Sequence, residues 1–153
     1  MEVAILWLIN EKGEILLAKR AAHMSSNAGM WGPSVSGKID TGETDEQAAV
    51  REANEELGID PFEVIPIHHL HNEIYRHTEE EIRKFSIFYA RVSKELATRF
   101  KLEPNEVEAV KWVSLGELQK LYATAPSELI ISHAKTLWNR IFYNLETAIN
   151  QPG

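Results

Sequence analysis

The 153-residue sequence contains no cysteine. That absence excludes disulfides, thiolate zinc sites and any thiol nucleophile. No apolar run approaches the roughly 18 residues a membrane-spanning helix needs, so no membrane association is expected. Glycine (8) and proline (6) are not abundant, and no repeat or low-complexity tract divides the chain. The opening MEVAILWLINEKGEILLAKR lacks a basic start followed by a small-residue cleavage site, and it reads as mature structure. Positive charge is scarce: 16 Lys and Arg against 23 Asp and Glu give a formal net charge of −7. Binding to nucleic acid needs a basic surface to release counterions, so nucleic acid is not an expected partner. A small anionic substrate stays compatible where a divalent cation bridges carboxylates to phosphates. The expectation is a single domain over 1–153, a cytoplasmic enzyme.

Along the chain, residues 3–9 and 14–19 are β-rich runs around Asn10-Glu11-Lys12-Gly13, which predicts a hairpin. Residues 21–33 lose periodicity and read as a loop, followed by a short strand at 35–39. Thr44 is the predicted N-cap of a helix, with Gln47 completing a capping box and Asp45 and Glu46 in the first turn. The helix should reach Leu57, with Gly58 as its left-handed cap and Pro61 marking the stop. Residues 64–75 and 85–92 suggest a long antiparallel pair, 107–113 a further strand, and 115–122 a short helix. From Ser127, the stripe Leu129, His133, Leu137, Ile141 and Leu145 predicts a last helix, its apolar face serving the core or a homodimer contact. The order implies an α/β (α+β) domain with a sheet layered between helices.

Chemistry concentrates at 37–59, GKIDTGETDEQAAVREANEELGI. Glu52, Glu55 and Glu56 stand at i, i+3 and i+4, on one helical face. Three like charges on adjacent turns destabilise a helix unless something offsets them. A bound divalent cation does so, and hard oxygen ligands suit Mg²⁺ or Mn²⁺. An exposed acidic face is the plainer explanation for E-x-x-E-E alone. Here Gly37, Glu43, Arg51, Glu52, Glu55, Glu56 and Gly58 share the spacing G-x5-E-x7-R-E-U-x-E-E-x-G-U, where U is aliphatic and Ala53 is a small occupant of the first U.

That spacing resembles the Nudix box. The resemblance implies a mixed β-sheet sandwiched between helices in an α/β/α arrangement. It also implies hydrolysis of a nucleoside diphosphate linked to another group, with Mg²⁺ (or Mn²⁺) held by the Gly37 carbonyl and by Glu52, Glu55 and Glu56. Glu43, Arg51 and Gly58 are its structural positions. A metal-activated water would attack phosphorus, so no side-chain nucleophile is needed. The general base is a glutamate of the box or of a distant loop: Glu52 first, then Glu106, which lies six residues before Trp112, with Glu55 beside the metal and Glu103 and Glu108 as competitors. The sequence around the box resembles both mutator-type dNTP pyrophosphohydrolases and, in MWGPSVSGKIDTGET, the isopentenyl-diphosphate isomerase-like branch; isomerisation by a cysteine acid–base group is excluded. A non-catalytic nucleotide sensor is a further alternative.

Lys19, Arg20 and Lys38 can meet anionic oxygens, or serve as solvated strand charges. Trp31 can stack on a substrate base, or anchor the loop. His69 and His71 should share one strand face, where half-exposed polar positions explain them without a metal. A small-molecule diphosphate is the expected ligand.

Overall fold

A computed structural model describes residues 1–151. Seven strands, β1 (Glu2–Ile9), β2 (Ile15–Arg20), β3 (Trp31–Gly32), β4 (Val35–Lys38), β5 (His68–Arg76), β6 (Ile82–Arg91) and β7 (Val107–Val113), form one mixed sheet. Its path runs β3-β2-β1-β6-β5, with β4 on β1 and β7 on β2; β1 and β6 are parallel and the other pairs antiparallel. The helices are α1 (Asp45–Leu57), α2 (Pro61–Val64), α3 (Leu115–Thr124) and α4 (Lys135–Ile149), with 3-10 turns at Lys94–Arg99 and Pro126–Glu128.

Alternation along β1 builds two cores. Ala4, Leu6 and Leu8 pack with Ala49, Ala53 and Leu57 of α1. Trp7 and Ile9 pack with Leu118 of α3 and with Leu137, Trp138, Ile141 and Leu145 of α4. A strand buried on both faces needs both residue sets apolar. The expected α/β/α layering is what the chain forms, and the α4 stripe is used in the chain's own core.

The expected hairpin is real but short. Asn10 Oδ1 accepts from the Lys12 and Glu14 amides at 2.9 and 3.0 Å, and Gly13 takes φ 76. Beyond Ile9↔Ile15 the strands part, because β4 takes the edge of β1 instead. Buried Ser34 bridges the split: its hydroxyl accepts from Leu8 N at 2.8 Å and donates to Leu16 O at 2.6 Å.

Five expectations need correction. Trp31 is not in a loop but in β3, paired with Lys19. Pro61 does not simply end structure; it starts a one-turn helix capped by Asp60, whose Oδ1 accepts from Phe62 N at 2.9 Å. The next strand therefore starts at His68, past Pro66, which has no N–H for a ladder. The last helix starts at Lys135, not Ser127: Ile130 N donates to Trp31 O at 3.0 Å and Trp138 Nε1 to Ile130 O at 3.1 Å, which ties the preceding segment to β3. Leu129 and His133 are thus outside it. Finally, a register shift between His69 and His71 sends them to opposite faces, His69 onto Phe88 and His71 toward Glu73.

His71 carries a testable consequence. Its ring nitrogens are buried without a hydrogen-bond partner, Nε2 standing 3.5 Å from Glu73 Oε1. Arg140 of α4 already holds Glu73 through two bonds of 2.5 and 2.7 Å. Burial pushes the imidazole below its ordinary value of 6.5, with the Glu73 charge pulling the other way. A folded histidine that resists its proton while the unfolded chain accepts it loses stability for the fold as pH falls. Urea midpoints should therefore drop as pH descends through about 6.5 and level off only below the folded value. His71→Gln should flatten that slope; an unchanged slope would assign it to other groups.

Candidate active site

α1 is fixed at both ends by local bonds. Thr44 Oγ1 accepts from Gln47 N at 3.1 Å, Gln47 Oε1 accepts from Thr44 N at 3.0 Å, and Gly58 adopts φ 69. Its last carbonyls, which no helical amide can reach, are taken by the following loop: Lys101 N donates to Leu57 O and Glu103 N to Glu56 O, both at 2.9 Å. That clamp, with the bond from Ala21 N to Glu106 O at 3.0 Å, seats Glu106 across from the helix.

The inward face of α1 lies under β4. Glu52 and Glu56, one turn apart, are only 8% and 7% exposed. Gly37 is what makes room: a Cβ there would stand 2.1 Å from Glu52 Cδ. Ser36 N donates weakly to Glu56 Oε1 at 3.4 Å. Burial pushes the Glu56 carboxyl well above the ordinary carboxylate range, and its hydrogen bond with Glu52 and the charges of Glu52 and Glu106 push it further. Glu106 is raised by burial first, then by the charges of Glu52, Glu55 and Glu103.

Arg51 organises the outer side of the cluster. Its Nε and Nη2 donate to Glu43 at 2.7 and 3.0 Å, Nη1 to Glu52 at 2.8 Å and Glu55 at 3.1 Å, and Nη2 to the Lys38 carbonyl at 3.0 Å. Those bonds, that to Glu43 foremost, raise its already high pKa. Glu43 is held low by Arg51 first and then by the Asp40 amide.

The acids open onto a cavity of about 470 Å³, a size ordinary for small-ligand sites. Gly37, Lys38, Glu52, Glu56, Glu106, Lys19 and Arg20 all line it, so seven of the residues singled out in the sequence meet there. Two do not reach it. Glu55 is half-exposed and turned to Arg51. Trp31 lies outside the lining, its ring covered by the Lys111 ammonium 4.3 Å from the centroid, so the local-anchor role fits it and base stacking does not. The competing acids are occupied elsewhere: Glu103 Oε1 accepts from Asn105 N, and Glu108 pairs with Lys19 at 3.0 Å. The opposite wall, absent from the sequence reading, is apolar (Met1, Val3, Ile5, Phe85, Ile130) with one further cation, Arg83. No motif marks Arg83; only strand pairing brings it there.

Among the described residues, no group of three or more acids and histidines is gathered closely enough to hold a metal unaided. The residues nevertheless fit a hard cation. Glu52 and Glu56, buried together, and Glu106 beside them on the cavity wall offer an oxygen-only donor set.

A NUDIX domain model matches residues 1–133. The chain belongs to the Nudix family. Its Nudix relatives include isopentenyl-diphosphate Delta-isomerase of Klebsiella pneumoniae subsp. pneumoniae, 29% identical over 124 residues that cover 78% of this chain and 64% of the relative. Isopentenyl-diphosphate Delta-isomerase 2 of Photorhabdus laumondii is 30% identical over 142 residues, 92% of this chain and 77% of that protein. The chain thus spans less than two thirds of the length of the first of these. In structure it is similar to a MutT protein from Methanosarcina mazei Go1, with TM-score 0.73, 23% identity, and coverage of 99% and 96% of the two chains, a likeness of fold.

The Nudix glycine offers a direct test of the geometry. Gly37→Ala forces Glu52 aside, and a displacement on the order of 1 Å at a reacting centre costs roughly 100-fold in rate. We expect a loss of that size in kcat together with a lowered unfolding temperature, since Cγ, Cδ and Oε1 of the buried Glu52 would all lie within 2.5 Å of the added methyl. Full activity would show that Glu52 need not lie where β4 puts it.

Proposed function

We propose that this Nudix chain is a Mg²⁺-dependent pyrophosphohydrolase that cleaves the diphosphate linkage of a nucleoside diphosphate derivative. One observation carries the reading: Glu52 and Glu56, buried together beneath Gly37, open with Glu106 onto a single cavity that also presents Arg20 and Lys38. Glu52, Glu56 and the Gly37 carbonyl would hold the metal. Bound there, Mg²⁺ or Mn²⁺ supplies neutralisation of the diphosphate and a lowered pKa for a coordinated water. Arg51 fixes the Glu52 carboxylate through Nη1 at 2.8 Å. Glu106, whose carboxyl makes no hydrogen bond among the described residues, is then placed to take the proton from the attacking water. Arg20 and Lys38 offset charge on the phosphoryl oxygens.

A second reading has its own support. The aliphatic wall and the isopentenyl-diphosphate Delta-isomerase relatives favour a non-nucleotide diphosphate carrying an apolar group, hydrolysed by the same acids. One panel separates the two: dNTPs, ADP-ribose, dinucleoside polyphosphates and isopentenyl diphosphate, each with Mg²⁺ and with chelator, products identified by mass. Metal-dependent cleavage of a nucleotide is the expected result. Cleavage of isopentenyl diphosphate alone would move the second reading ahead, and tight nucleotide binding without turnover would make the chain a sensor.

A further inference from the structure

Arg20 and Arg83 reach the same cavity from β2 and β6, strands separated by more than sixty positions in the chain. Arg83 is largely buried, its side chain 17% exposed, and its Nε donates to Glu81 at 3.3 Å. Arg20 is half-buried, its Nε donating to the Ser26 carbonyl at 3.0 Å. In both, the Nε bond orients the guanidinium and leaves the two Nη nitrogens without an acceptor among the described residues. Burial works against the charge of Arg20; Glu56 and Glu106 favour it, and Arg83 opposes it again. Two guanidiniums held in one partly desolvated cavity with four idle nitrogens are a cost to the fold. An anion with several acceptor oxygens recovers it. Lys19 also lines the cavity, its single ammonium paired with Glu108 at 3.0 Å, whereas the Arg83 contact to Glu81 uses Nε and leaves both Nη nitrogens.

We infer that Arg20 and Arg83 form a two-guanidinium clamp for a second phosphoryl group of the substrate, the one turned away from the Glu52–Glu56 pair. The clamp rests on the diphosphate reading above and makes Arg83 a substrate-binding residue. It fixes polarity: one phosphoryl group lies against the acidic helix, the other against the β2–β6 side, and the organic group is left to the apolar wall around Val3, Ile5 and Phe85. The fork geometry suits phosphate oxygens taken two at a time, which an ammonium does not reproduce.

Imidodiphosphate, a diphosphate without a hydrolysable bridge, is the probe, titrated calorimetrically in the presence of Mn²⁺. Arg20→Gln and Arg83→Gln should each weaken it by roughly 10- to 100-fold, the usual effect of losing hydrogen bonds to a charged group. Arg83→Lys should recover only part of that loss. In the hydrolysis assay the same variants should raise KM more than they lower kcat. Affinity for Mn²⁺ alone should stay as in the wild type. Imidodiphosphate binding by folded Arg83→Gln within about twofold of wild type would overturn the clamp. Failure of the hydrolase reading looks different: no Mn²⁺ binding and no turnover by the wild type, while an imidodiphosphate loss in Arg83→Gln would still uphold the clamp.

Discussion

Glu56→Gln is expected to lose at least about a thousandfold in kcat while remaining folded, since a metal-held charge is worth several kcal/mol in the transition state at about 1.4 kcal/mol per decade. The substitution keeps the volume of a side chain that is 7% exposed and leaves an acceptor for the Ser36 amide. It removes the charge that burial and Glu52 together disfavour. Unfolding temperature in the absence of metal should therefore stay level or rise. Stabilisation by added Mg²⁺, which reports binding to the native state alone, should vanish. A fully active variant would take Glu56 out of the metal site, and with it the proposed chemistry.

Arg51→Met should reduce both stability and activity, and that pairing distinguishes it from Glu56→Gln. Arg51 answers Glu43, Glu52 and Glu55 at 2.7–3.1 Å and lies 3.5 Å from Asp40. Without it the Glu43 and Glu52 side chains, 15% and 10% exposed, lose the cation that both of them bind. Breaking a fully buried pair costs about 3–5 kcal/mol; with Arg51 itself 28% exposed, about 2–3 kcal/mol is the fitting figure. For a domain of this size that lowers Tm by roughly 5–10 °C. Glu52 loses its anchor at the same time, so kcat/KM should fall by about 100-fold or more. Arg51→Lys should regain some stability but little rate, because one ammonium cannot serve four carbonyl and carboxylate partners in fixed directions. Wild-type kinetics in Arg51→Met would reduce the arginine to a surface charge.

The helix that carries the acids was legible because everything that defines it is local. Thr44, Gln47 and Gly58 act over three to five residues, and their bonds are those the spacing predicts. The three glutamates show where that legibility stops. In sequence they share a face; in the fold the line of contact with β4 passes between them. Glu52 and Glu56 fall under the strand, and Glu55 falls outside it with Arg51. A helical wheel gives angles, not the width of the neighbour that covers them. The start of α4 failed for a related reason. The four-residue recurrence through Leu129 and His133 is genuine, yet backbone pairing to Trp31 outweighs helix continuation there, and that pairing depends on a strand a hundred residues earlier.

By itself the sequence determined the acidic helix, its caps, the exclusion of thiol chemistry and the layered α/β architecture, because short-range hydrogen bonding and the period of apolar residues decide these. The tertiary structure alone decided which acids are buried together and that Glu106 faces them. It also set Trp31 aside and brought Arg83 to the cavity with Arg20. Those are contacts between segments far apart in the chain, selected by the order and register in which strands pair, and no local pattern encodes that order.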